Sequence, residues 1–162
     1  MDALYPTKNI GYLLQHLSSV LAKQSDQLLL ERLGVGFSQF KILMVLEGNP
    51  RTRQRQIADR LGQTEASISR QIAIMHDKGL LQTMVNPKNR REHLTTPTSK
   101  GLRLLNESLN ILNIYHAPMF GSLNEKQREQ LLETLEKMHA YACQSGKIGA
   151  CQHKPYNQSE GV

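Results

Sequence analysis

The sequence predicts a mainly α-helical fold with one small β-hairpin. Three features indicate this class: long segments repeat apolar residues at helical spacing, a single strand-like pair lies mid-chain, and glycine or proline separates the segments. The 162 residues correspond to one domain, with 39% hydrophobic and 21% charged residues. No apolar run is long enough to span a membrane, the first residues lack a secretory signal pattern, and two cysteines cannot form a disulfide framework. We therefore expect a cytoplasmic protein.

Two helices are predicted in the first third of the chain. The first covers roughly residues 7–33 and ends before Gly34, and the second runs from about residue 37 to residue 47. Gly48 and Pro50 end the second helix, because glycine suits a C-cap and proline cannot continue a helix. The apolar positions of the first helix recur at steps of three, four or seven, at Ile10, Leu14, Leu17, Leu21 and Leu28.

A pair of short helices follows. Thr52 is the predicted N-cap of a helix over residues 54–61, which Gly62 ends. Thr64 is the predicted N-cap of the next helix, over residues 65–78. The inward positions of this second helix are Ile68, Ile72 and Met75. Two short helices joined by a tight glycine turn form a helix-turn-helix.

The hairpin follows directly. Residues 80–85 and 93–96 have strand-like composition, and between them lie a turn-forming segment and the basic pair Arg90 and Arg91. Pro97 ends the second strand. A strand, a basic loop and a return strand after a helix-turn-helix make a winged helix-turn-helix.

Two further helices complete the prediction. Thr98 caps a helix whose leucines are spaced three, four and three apart, like a coiled-coil seam. Asn124 and Gln127 form a capping-box-like start of the last helix, which repeats this spacing. The seam residues are Leu102, Leu105, Leu109 and Leu112 in the first helix, and Leu131, Leu135 and Met138 in the second.

The positive charge of the protein is concentrated in the middle of the chain. Residues 51–100 contain ten basic and four acidic side chains, whereas the segments on either side are each neutral. A basic block between neutral flanks is typical of a surface that binds a polyanion, although a merely solvated face has the same composition. The winged helix-turn-helix within this block favours duplex DNA.

The DNA-binding residues are predicted from the outward face of the second short helix and from the hairpin tip. Small or hydrogen-bonding side chains fit the major groove, and Arg70 is able to bind guanine through two hydrogen bonds. An arginine of the wing gains from the negative potential of a narrow minor groove. The predicted set is Thr64, Ala66, Ser67, Ser69, Arg70, Gln71, Lys88, Asn89, Arg90 and Arg91. The alternative is an ordinary polar surface helix with a solubilising loop.

The terminal helices predict a dimer. Their apolar seams exceed what the small basic core covers, and two-fold pairing would place two recognition helices about 34–36 Å apart on a palindrome. We assign residues 1–33 and 98–143 to dimerisation, residues 34–97 to DNA binding, and residues 144–162 to a flexible tail. Burial of the seams within a larger monomer is the alternative.

The arrangement resembles the MarR (multiple antibiotic resistance regulator) family of bacterial winged-helix transcription factors over residues 7–142. The segments that carry the resemblance are FSQFKILMVL, QIADRLGQTEASISRQIAIMHDKGLL, NPKNRREHLTTPTSKG and SLNEKQREQLLETLEKM. The resemblance implies a homodimer with interlocked terminal helices, a recognition helix over residues 65–78, and Arg91 reaching the minor groove. It also implies a bacterial, nucleoid-associated repressor of palindromic operators that is released by a small aromatic or phenolic ligand, or in some members by cysteine oxidation.

The sequence departs from the family pattern in the wing. Asn86 and Asn89 stand where the family usually has aspartate, Thr83 where arginine is frequent, and Pro97 where leucine is frequent. Asn89 is able to hydrogen-bond a guanidinium group, but without charge assistance. We therefore expect Arg91 to be held less firmly than its family counterparts.

Other functions have weaker support. His139, Cys143, Cys151 and His153 offer four possible zinc ligands, and the two cysteines offer a thiol switch. A metal- or thiol-responsive regulator of the same fold is therefore one alternative, and a helical protein–protein adaptor that does not bind DNA is another. We expect no cofactor or resident metal, and no enzyme, since the sequence has no glycine-rich phosphate loop, GxSxG or HExxH motif.

Overall fold

The fold is mainly helical with one small antiparallel sheet, as the sequence predicts. The computed structural model describes residues 9–87 and 89–142, with only the backbone described at residues 90–92. Its elements are α1 (Ile10–Leu33), α2 (Phe37–Gly48), β1 (Thr52–Arg53), α3 (Gln54–Leu61), α4 (Glu65–Asp77), β2 (Leu81–Asn86), β3 (Asn89–Pro97), α5 (Ser99–Gly121) and α6 (Glu125–Ala142). None of the helices in these ranges is both long and apolar enough to cross a membrane.

The helix ends follow the capping residues read from the sequence, with two exceptions. Thr98 Oγ1 accepts a hydrogen bond from the Gly101 N–H at 3.1 Å, as expected for an N-cap. Asn124 and Gln127 exchange two hydrogen bonds of 2.9 Å, which confirms the capping box. The first exception is Gly48, which lies inside α2, so that Asn49 is the C-cap. The second exception is Thr52, which does not cap α3, whose N-cap is Arg53.

The position of Thr52 is explained by a strand that the sequence did not predict. Thr52 lies in β1, buried and paired with Thr95 of β3, and its hydroxyl donates to the Asn49 carbonyl. The sheet therefore has three strands in the order β1-β3-β2 rather than a hairpin alone. A two-residue strand is too short to show an alternating pattern in the sequence, so only pairing with a distant partner defines it.

The hydrophobic core lies between α1–α5 and the sheet. The predicted inward stripe of α4 is buried, which confirms that one face of this helix points to the core. By contrast, α6 has no buried residue. The largest apolar side chains of the core with no or almost no exposed surface are Leu29, Ile42, Leu43, Leu46, Ile57, Ile68, Met75 and Leu105.

The C-terminal end of α4 is fixed against α1 and α5. Lys78 Nζ donates to the Gly34 carbonyl at 3.0 Å, and Lys100 Nζ donates to the Lys78 carbonyl at 2.8 Å. The Leu80 carbonyl accepts hydrogen bonds from both the backbone N–H and the hydroxyl of Thr98. The orientation of α4 is therefore tied to α1 and α5, the long helices before and after this segment.

Candidate nucleic-acid interface

The exposed face of α4 is defined by the burial of its opposite face. Ile68, Ile72 and Met75 point to the core, so residues offset by half a turn face solvent. Thr64 accepts a hydrogen bond from the Ser67 N–H at 3.2 Å and fixes the first turn. The result is a capped helix that presents one polar side.

Most of the predicted side chains of α4 lie on this exposed side. Thr64, Ala66, Ser69 and Arg70 are exposed, whereas Ser67 and Gln71 are half-buried. Arg70 Nε donates to the Ala66 carbonyl one turn earlier, at 3.4 Å. This weak hydrogen bond holds the guanidinium group along the helix. A stronger acceptor would replace the Ala66 carbonyl as its partner.

Arg55 is an additional cation that the sequence analysis did not assign to the site. Its Nε lies 3.8 Å from Oε1 of Glu65, the first residue of α4, and both side chains are largely exposed. The ion pair itself contributes little to stability because solvent screens it. Its significance is positional, since it places a basic residue of α3 at the N-terminus of α4. The only sequence signal was the high density of arginine in this segment.

The wing is described as backbone only at its basic residues. The register pairs Asn86 with Asn89 across the turn, with an irregularity between Val85 and Asn86. Asn86 is buried and Asn89 is exposed. Lys88 and the side chains of Arg90 and Arg91 lie outside the described part of the chain. The prediction that these residues contact DNA stays a prediction.

The alternative metal and thiol sites lie mostly outside the described residues. Cys143, Cys151 and His153 belong to the segment after α6. Within residues 9–87 and 89–142, no three His, Cys, Asp or Glu side chains are grouped so that they could hold a metal ion. The proposed zinc and redox functions of the tail stay untested.

An apolar depression lies on the surface of α1. It has a volume of about 340 Å³ and lies between one face of α1 and the start of α2. At its α2 end, the Phe37 ring stacks on Phe40 with ring centroids 5.6 Å apart, and Lys41 Nζ lies 5.4 Å from the Phe37 centroid. The lining residues are Leu14, Leu17, Ser18, Leu21, Ala22, Ser25 and Phe37.

Comparison with known proteins agrees with this architecture. A family model described as the MarR family matches residues 33–92, from the end of α1 into the wing. Over these residues the chain is similar to the MarR family. A comparison with curated protein sequences finds no match.

Solved structures of MarR-family regulators share the fold. A MarR regulator from Methanosarcina mazei Go1 is 25% identical with a TM-score of 0.74, over 82% of this chain and 95% of that one. The repressor CouR bound to a 23-mer DNA duplex is 22% identical with a TM-score of 0.74, over 85% and 97% of the two chains. CouR from Rhodococcus jostii RHA1 bound to p-coumaroyl-CoA is 20% identical with a TM-score of 0.69, over 84% and 95%. The chain therefore has the winged-helix fold of these MarR-family regulators.

Proposed function

We propose that this protein is a MarR-family transcriptional repressor that binds a palindromic operator as a homodimer and is released by a small aromatic or phenolic ligand. The observation that carries the proposal is the exposed polar face of α4, which is capped at its N-terminus and backed by a buried apolar stripe. This geometry is what insertion into a major groove requires.

Different residues of α4 contact the phosphates and the bases of the duplex. The N-terminus of the helix, with Thr64, is suited to a phosphate oxygen because its N–H groups and the helix dipole favour negative charge. Ala66 allows the backbone to approach the duplex, and Ser69 and Arg70 reach base edges. Arg70 makes two parallel hydrogen bonds to guanine. Lys88, Asn89, Arg90 and Arg91 of the wing contact the backbone and the adjacent minor groove.

A homodimer is supported by apolar surface that the single chain leaves exposed. The 18-residue helix α6 buries none of its side chains, although it carries an apolar stripe at helical spacing. Such a stripe on a soluble protein marks an interaction surface. Apart from Leu17, which lines the depression, the exposed large apolar residues of α1, α5 and α6 are Ile10, Leu13, Leu30, Leu102, Ile114, Tyr115, Phe120, Leu131, Leu132, Leu135, Met138 and Tyr141. Pairing of two copies through α1, α5 and α6 covers these residues and aligns two α4 helices with successive major grooves.

The ligand site is proposed at the apolar depression between α1 and Phe37. It is a mainly apolar groove of about 340 Å³ that is open to solvent. Its lining suits an aromatic ring, and Lys41 beside Phe37 offers a cation to a carboxylate. A structural neighbour, CouR, is bound to an aromatic thioester. A ligand bound between α1 and α2 favours one spacing of the two α4 helices. DNA is released if this spacing does not match the distance between the two operator half-sites.

Arg70→Ala is expected to relax the sequence preference of the protein. Loss of the two hydrogen bonds to guanine removes roughly 1–3 kcal/mol of discrimination at one base pair in each half-site. The measurement is selection of bound sequences from random duplexes, followed by titration of the selected operator and its single-base variants. Arg70→Lys is the matched control, because it keeps the charge but loses the planar fork. Unchanged discrimination in Arg70→Ala, or failure of the parent protein to select any sequence, would contradict the proposal.

Arg91→Ala is expected to weaken binding to all duplexes alike. Loss of a wing arginine removes one neutralised phosphate charge, so the slope of log affinity against log salt becomes flatter by about one. Arg103→Ala is the control, since Arg103 is exposed on α5 outside the basic segment. Equal slopes in the two variants would show that the wing does not contact DNA. Absence of any salt-dependent DNA binding in the parent protein would instead favour the protein–protein adaptor.

A further inference from the structure

A buried amide in α2 contacts the DNA-facing helix. Gln39 is only 7% exposed, and its Nε2 donates a hydrogen bond to Oε1 of Gln71 at 3.2 Å. Gln71 is half-buried and follows Arg70 directly at the edge of the exposed face of α4. In the described part of the chain, this is the only hydrogen bond that the Gln71 side chain makes.

The arrangement of Gln39 is not explained by stability. Its own Oε1 is buried and has no hydrogen-bond partner among the described residues. A buried polar atom without a partner is destabilising, and an apolar side chain of similar size between α2 and α4 avoids this cost. Gln39 therefore makes its hydrogen bond to Gln71 although its own Oε1 has no hydrogen-bond partner among the described residues.

The direction of this hydrogen bond determines what Gln71 offers to a ligand. A glutamine amide carries one acceptor oxygen and one NH₂ donor group on opposite corners of a plane. A free glutamine reads adenine with both groups, accepting from N6 and donating to N7. When the oxygen is turned towards Gln39, the NH₂ group is the corner of the Gln71 amide that points away from Gln39 and is offered to the duplex.

We propose that Gln39 is a specificity-determining residue that does not itself contact DNA. It holds the oxygen of Gln71 away from the groove, so Gln71 acts as a donor only. A donor then favours guanine, which presents two acceptors on its major-groove edge, over thymine, which presents one, and over adenine, whose N6 group is a donor. The inference rests on the proposed function, because it requires α4 to lie in a major groove.

The test is selection from random duplexes with the full chain and four variants. Gln71→Ala identifies the base pair that Gln71 reads, because preference at that pair is lost. Gln39→Met frees the Gln71 oxygen, and we expect adenine to gain about tenfold over guanine at that pair. Gln39→Glu, measured at pH 8, offers a carboxylate that accepts from Gln71, turns its oxygen towards the groove and selects adenine or cytosine. Gln63→Met is the matched control, since Gln63 is also an amide with a buried unpartnered oxygen but donates to Ser38.

Each outcome distinguishes this inference from the proposed function. A parent protein that selects no sequence refutes the proposed function. A selective parent whose Gln39→Met and Gln39→Glu variants read the same bases refutes the role of Gln39 alone. A uniform loss of affinity in Gln39→Met that Gln63→Met reproduces shows a merely structural role and also overturns the inference. Thermal denaturation of each variant confirms that it is folded.

Discussion

Gly101→Ala is expected to lower the free energy of unfolding by about 3 kcal/mol and the Tm by roughly 10 °C. Gly101 is buried in the first turn of α5, where a Cβ atom would lie 2.2 Å from the Leu80 carbonyl oxygen and 3.3 Å from Leu43 Cδ2. The carbonyl cannot simply rotate away, because it accepts hydrogen bonds from Thr98. The backbone between α4 and β2 must therefore shift, and thermal denaturation measures the cost.

Gly48→Ala is the matched control for this prediction. Gly48 is the last residue of α2, and no atom lies within 4 Å of a Cβ built there. Alanine has the higher helix propensity, so we expect the Tm to stay constant or rise slightly. Equal melting of the two variants would mean that α5 does not pack as closely against Leu80 as the distances indicate. If the Gly101→Ala protein folds and binds DNA with normal affinity, then the contact between Gly101 and Leu80 does not control the orientation of the wing.

Leu135→Asp is expected to convert the proposed dimer into monomers and to reduce operator affinity by about a hundredfold or more. Leu135 lies on the apolar stripe of α6 and is 39% exposed in the single chain. Burying an aspartate in the proposed interface leaves an unpaired charge in an apolar environment, which costs several kcal/mol. A monomer then contacts one half-site and loses the gain in affinity from linking two half-sites, which is typically 10²–10⁴-fold. Sedimentation equilibrium and operator titration measure the two effects.

Glu133→Gln provides a control on the same helix. Glu133 forms an exposed ion pair with Lys137, with a separation of 2.7 Å between Oε1 and Nζ. Its loss is expected to change stability by about 0.3–0.5 kcal/mol and to leave the dimer intact. If Leu135→Asp has the mass and affinity of the parent protein, then α6 is not part of the dimer interface. If both variants form dimers but bind DNA weakly, then the substitutions act through the stability of α6 and not through the dimer interface.

The helices and their ends were predictable from the sequence because the signals are local. Thr98 and Asn124 cap helices through atoms three residues away, and Gly62 and Gly79 adopt the left-handed conformation expected of helix ends. The short strand at Thr52 was not predictable in this way. Its only defining feature is its pairing with Thr95, which is more than forty residues away.

The same distinction applies to the candidate site: local patterns predict some of its features, and the packing of helices decides the others. The buried stripe of α4 follows from its 3.6-residue period, and the exposure of Ser69 and Arg70 follows from that stripe. The ion pair that places Arg55 beside α4 and the hydrogen bond from Gln39 to Gln71 do not follow. Both depend on the angle at which helices pack, and periodicity contains no information on that angle.

The amino-acid sequence by itself determined the fold class, the order of the helices and the face that α4 presents, because these depend on contacts within one helix or turn. Only the tertiary structure decided which partner each polar group has. Gln39 is an unremarkable amide in the sequence, and Gly101 is an ordinary glycine near a helix start. Their importance comes from atoms of Gln71 and Leu80 that the folded chain brings within a few ångströms. Such long-range distances are set by the packing of the whole core.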